Sequence, residues 1–158
     1  MVDIRVETEL FAIDRTWYEE RGRSFEVVVQ ARMCPSCQAR LGDPIEENYV
    51  TLDPSGKRVI TERRIVPYGS NPLPIIRDCC SRTKGYINAH MPIMEIAFRI
   101  LLARGNQPIS AEELKKEMEF WAGHSDRVRF LSVQSLQRML ERDEHYGFRQ
   151  VQAKPAGG

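Results

Sequence analysis

Val2, Ile4 and Val6 alternate with Asp3, Arg5 and Glu7. Alternation with period two marks a half-buried strand, and the pattern is expected to run on through Leu10–Ile13. Trp17–Gly22 reads as a turn or loop with a large aromatic anchor. From Ser24 to Met33 the alternation returns: Phe25, Val27, Val29, Ala31 and Met33 share one face, with Val28 the exception. This predicts a second strand. Tyr49–Leu52 and Arg58–Val66 predict a hairpin around Asp53-Pro54-Ser55-Gly56, where proline fixes φ and glycine permits a positive one. Pro67, Pro72 and Pro74 then make an irregular stretch leading to Cys79 and Cys80.

The period changes after Pro92. Ile93, Ile96, Ala97, Ile100 and Leu101 follow the i, i+3, i+4, i+7, i+8 spacing of an amphipathic helix, ended by Gly105. Ser110 and Glu113 form a capping box for a helix from Ala111 to about Trp121. Gly123–Phe130 is polar and turn-like. Ser132 caps a third helix to about Arg142, with Val133, Leu136, Met139 and Leu140 toward the core. Phe148–Val151 reads as a short strand, and the tail after it as loose.

The expected architecture is therefore α+β. A β-rich, zinc-stapled unit occupies residues 1–90, a three-helix unit 91–152, and a flexible tail 153–158. A β unit of that size has a thin core, for which a bound metal is a usual remedy.

Cys34 and Cys37 have the two-residue spacing that closes one edge of a zinc tetrahedron. Cys79 and Cys80 are adjacent, and neighbouring side chains in a straight strand point to opposite faces. Either both ligate through a sharp turn, or one ligates and His90 or a water completes the shell. The competing readings are a redox dithiol at Cys34/Cys37 and four unliganded thiols. A reactive C-x-x-C pair usually opens a helix, and Gln38–Leu41 runs at once into Gly42-Asp43-Pro44. The expectation is a structural Zn2+ held by Cys34, Cys37, Cys79 and Cys80.

The stretches Ile100–Gly105, Pro108–Leu114, Ser132–Asp143 and Tyr146–Arg149 resemble the winged-helix branch of the helix-turn-helix superfamily. The resemblance covers residues 92 to about 152 and lacks a second wing strand, unless one from the first unit pairs there. It implies a recognition helix at Ser132–Arg142. Ser132, Gln134, Ser135, Gln137 and Arg138 would face the major groove, where paired donors and acceptors read bases. Arg127, Arg129 and Arg149 would meet phosphates.

Composition tempers this. Net charge is +1, with 42% hydrophobic and 28% charged residues; no global field drives the chain to nucleic acid. From Met91 on, Arg and Lys barely exceed Asp and Glu, whereas a DNA-binding domain is typically basic. No apolar run reaches membrane-spanning length, and the start lacks the features of a secretory signal, so a cytoplasmic protein is expected. His90, His124 and His145 lie apart, with no nucleophile or phosphate loop beside them, so no enzyme is expected. The leading expectation is a transcription regulator that binds double-stranded DNA, its first unit dimerising or sensing. The alternative is a non-enzymatic adaptor that docks a protein partner in a larger assembly.

Overall fold

The computed structural model describes residues 9–151 and is α+β. The expected strand at Val2–Val6 lies outside the described residues. Strand β1 (Leu10–Ile13) is the middle strand of a three-stranded antiparallel sheet, between β4 (Ile109–Ser110) and β5 (Phe148–Val151). Phe11 faces Ile109 on one side and Gln150 on the other, and Ile13 faces Phe148. Asn106, at φ 61°, pins the end of β1: its side chain accepts from Ile13 N at 2.8 Å and donates to Ile13 O at 2.9 Å. The sheet thus crosses the expected boundary between residues 90 and 91. One continuous core runs from Phe11 through Ile76 and Leu101 to Phe148.

The stretch expected as the strand Ser24–Met33 is instead helix α2 (Phe25–Gln30), followed by a turn. Ser24 Oγ accepts from Val27 N at 3.2 Å, satisfying a donor that a helix start leaves orphaned. The buried positions Phe25, Val29 and Met33 fall every fourth residue, while Val27 is exposed. The apolar set fits both periods, and packing selects the helical one. Likewise the expected loop around Trp17 is helix α1 (Arg15–Glu20), N-capped by Asp14, whose Oδ1 accepts from Thr16 N at 3.0 Å. Trp17 and Tyr18 are both buried.

A single turn, α3 (Pro35–Gln38), precedes the hairpin of β2 (Pro44–Leu52) and β3 (Val59–Pro67). The hairpin is where it was expected, and Asp53 Oδ1 holds its turn by accepting from Ser55 Oγ and Lys57 N. The expected irregular stretch before the second cysteines contains α4 (Pro72–Asp78), with Pro72 at the helix start. There its missing N–H costs nothing. The first part thus holds about as much helix as strand, four short helices beside β1 and the ribbon, where a β-rich unit was expected.

Helix α5 (Ile93–Ala103) is buried on most of its circumference, at Ile96–Phe98 and Ile100–Leu102. Helix α6 (Ala111–Ala122) is capped as expected, Ser110 Oγ accepting from Glu113 N at 3.1 Å. The expected turn Gly123–Phe130 contains a short helix α7 (Asp126–Arg129). Helix α8 (Val133–Glu141) is capped by Ser132, which accepts from Ser135 N at 3.0 Å.

Glu95 joins these parts. Arg32 bonds both its carboxylate oxygens at 2.9 Å, Arg99 Nε bonds one at 2.8 Å, and Tyr146 OH donates to the other at 3.1 Å. Burial alone pushes the Glu95 carboxyl up, but the Arg32 and Arg99 guanidiniums more than offset it and hold it below its ordinary 4.5. A depressed folded-state pKa gives stability that is fully present above the unfolded value and is lost as pH falls through the folded one. Glu95→Ala is expected to lower unfolding free energy by about 3–5 kcal/mol, because two guanidiniums lose their counter-charge. Denaturant melts should show this, and the variant's stability should fall less than the parent's on acidification below pH 4.5.

Candidate metal centre

Four thiols meet where α2, α3 and α4 converge. After α2 the chain turns at Met33, whose carbonyl accepts from Gln38 Nε2 at 2.9 Å. Cys34 is the N-cap of α3 and Cys37 lies within its single turn, which puts both side chains on one side. Cys79 ends α4 at φ −128°, ψ −67°, and Cys80 opens a 3-10 turn (Cys80–Arg82). This break in the helix is the sharp turn that two adjacent ligands require. All four Sγ atoms lie within 4.8 Å of one another. A cation held by four thiolates at about 2.3 Å sets them about 3.8 Å apart, and Cys37 Sγ and Cys79 Sγ are 3.7 Å apart. All four cysteines are free; Cys79 is exposed and the other three are buried. The residues therefore fit a tetrahedral metal ion. His90 is exposed and outside the group, its backbone N–H bonded to Asn88 Oδ1 at 2.9 Å.

The thiols differ in acidity. A hydrogen bond with Ser36 Oγ, at 3.4 Å, is the main cause that brings Cys34 down to about 6. Burial pushes Cys80 up to about 12, and the bond to Cys37 raises Cys79. One thiol ionises readily and its neighbours then resist, since like charges crowd one small space. A bound cation removes that conflict, and the thiols release protons as it binds. Arg32, Lys84 and Arg99 line a recess of about 140 Å³ together with Cys34.

The centre also roots the ribbon. Tyr68 donates its hydroxyl to Cys37 Sγ at 3.4 Å, which raises the phenol to about 12. Its backbone closes the hairpin base through Gly42 N to Tyr68 O at 3.0 Å and Tyr68 N to Asp43 O at 2.7 Å. Tyr68 was not singled out from the sequence. Its only signal was its place directly after the second ribbon strand.

The residues expected to meet DNA divide. Gln134, Arg138, Arg127 and Arg149 are exposed. Arg129 is exposed but lies 3.7 Å from Asp126. Ser132 is the helix cap and donates to Ser135 Oγ at 2.9 Å. Gln137 is tied inward, donating to Glu9 at 2.6 Å and Glu141 at 3.2 Å. Arg142, one turn after Arg138, lines a groove of about 330 Å³ with Ser135, Arg138 and Met139. Its i, i+4 spacing from Arg138 was the signal for it. Asp143, just past α8, is buried and accepts from the N–H groups of His145, Tyr146 and Phe148.

Among the described residues this is the one group of His, Cys, Asp or Glu with metal-binding geometry, and no helix is long and apolar enough to cross a membrane. Comparison with protein families, curated proteins and solved structures returns no match.

Elemental analysis of protein purified reduced and without chelator should find about one metal ion per chain, as a four-ligand site holds. Cys37→Ser should lose it and lower the melting temperature; metal-free parent protein that melts unchanged would count against a stapling role.

Proposed function

We propose that this chain is a non-enzymatic, zinc-stapled DNA-binding protein that regulates transcription, with α8 as its reading helix in a winged-helix arrangement. Zinc is favoured because four thiolates in a tetrahedron suit its chemistry and leave no open position for substrate. The metal's task would be to hold α3 and α4 together. The winged-helix reading is supported by the element order α5, β4, α6, α7, α8, β5, in which α7 is a single turn before the third helix, and by β1 in the third strand position that the C-terminal part alone lacks.

The observation that carries the DNA reading is the exposed face of α8. Gln134 and Arg138 reach solvent, and Arg142 extends that face with Ser135 and Met139 beside it. Arg127 and Arg149 flank the helix in sequence and are exposed. Burial of Asp143 takes one acid off this surface, while Glu9 is brought onto α8 through Gln137. A helix of this size fits a major groove about 12 Å wide, where an arginine can bond a guanine edge in pairs.

Duplex DNA binding is expected to weaken steeply with salt. Arg138→Ala should cost about 1–3 kcal/mol and relax preference at one base pair, whereas Arg127→Ala should weaken all sequences alike and reduce the salt slope by about one. Gln137→Ala should leave DNA affinity unchanged, because its amide is already engaged. Fluorescence anisotropy across a randomised duplex pool would measure all three. No binding at low salt and micromolar protein would sink the reading.

A second reading, a protein-docking adaptor, is favoured by Phe120 and Phe130, 82% and 78% exposed. Phe120 stacks edge-on against half-buried Trp121, 6.0 Å between ring centres, and a contiguous exposed apolar patch is what a protein contact surface needs. Under that reading Phe120→Ala would abolish capture of a defined partner and DNA affinity would be absent.

A further inference from the structure

The β2–β3 ribbon has two unlike faces. On one, the polar groups satisfy each other: Tyr49 OH donates to Glu47 at 2.9 Å, Arg64 bonds Glu62 at 3.1 Å, and the Arg64 guanidinium lies 4.8 Å from the Tyr49 ring centre. On the other, Val50, Leu52, Val59 and Ile65 are 71%, 63%, 70% and 73% exposed. The strands pair with each other over nine residues and pack on no other described element to a comparable extent. A lone two-stranded ribbon is marginal in water, and four aliphatic side chains on one bare β face invite a cover.

We propose that this face is covered by the same face of a second copy of the chain. The register determines the stacking. Leu52 pairs with Val59 at the tip, Val50 comes next, and Glu46 and Arg63 lie toward the root on the same face. A two-fold axis along the ribbon sets tip on tip, with each β2 over the other copy's β3. Leu52 then lies over Val59 of the other copy, Val50 over Thr61, and Glu46 over Ile65, one step from Arg63. Two apolar contacts and two opposite-charge pairs form at once. The reverse stacking would instead carry Glu46 over Leu52, away from Arg63 of the other copy, and leave the carboxylate without a cation across the interface.

Stacked faces lie about 10 Å apart, and nine residues at about 3.4 Å each give a face about 30 Å long. Both copies together cover on the order of 1,000 Å², the low end for a specific interface. The dimer is therefore concentration-dependent. The contact uses neither α8 nor the identity of the metal.

Sedimentation equilibrium of the metal-loaded full chain over a wide concentration range tests this. The mass should rise from one chain to two. The double variant Leu52→Lys/Val59→Lys should remain monomeric, with far-UV circular dichroism showing the fold retained. Glu46→Arg should weaken the dimer about tenfold or more, by setting like charges together, and adding Arg63→Glu should restore it. A monomer at every concentration would overturn the proposal. So would a dimer that survives the double lysine variant, or one that the charge exchange fails to restore.

Discussion

A single carboxylate fixes how the parts of this chain sit on one another. Glu95 stands in the first turn of α5, mostly shielded from solvent. A charge there is unfavourable unless it is paired and hydrogen-bonded. Its partners come from three places: Arg32 just after α2, Arg99 one turn along α5, and Tyr146 just before β5. Arg32 is also laid over the Phe98 ring, 4.7 Å from its centre. Satisfying Glu95 therefore orients the segment that delivers Cys34 two residues later and anchors the turn that feeds the last strand.

The thiol cluster depends on that placement and adds a second closure. Cys37 and Cys79 are 42 residues apart in sequence, and the ribbon is the excursion between them. Joining distant points removes loop freedom from the unfolded chain, a cost that grows only slowly with loop length. Four thiols in one small space suit a cation, and a metal bound there would link the folding of this corner to its capture. The ribbon is fixed at its root through Tyr68 and left uncovered at its tip, which gives it reach beyond the body of the protein.

Local chemistry announced several elements correctly. The helices around Ile96, Leu114 and Leu136 follow from a 3.6-residue period with serine caps at Ser110 and Ser132. The hairpin follows from two β-rich runs around Asp53–Gly56. Ser24–Met33 was misread because its apolar positions satisfy two periods at once and its valine run favours a strand. Only contact with the core distinguishes them: Phe25, Val29 and Met33 find neighbours there, while Val27 and Ala31 do not need to. Proline had the reverse ambiguity in Pro72–Asp78. It breaks a helix interior but starts one well, and sequence position alone did not say which.

The sequence by itself determined which residues have metal-binding chemistry and which stretches have a strong period, since both are properties of neighbours along the chain. Four cysteines, two of them at ligand spacing, are visible without any fold. Tertiary structure decided what depends on distant partners. It broke α4 at Cys79 so that adjacent cysteines could turn to one point, and it left His90 outside. It slid β1 between β4 and β5, joining strands from either end of the described residues in one sheet. It turned Gln137 inward onto Glu9 and Asp143 onto the turn before β5. Each of these rests on satisfying a polar group or covering an apolar one with a residue far away in sequence, which no local pattern records.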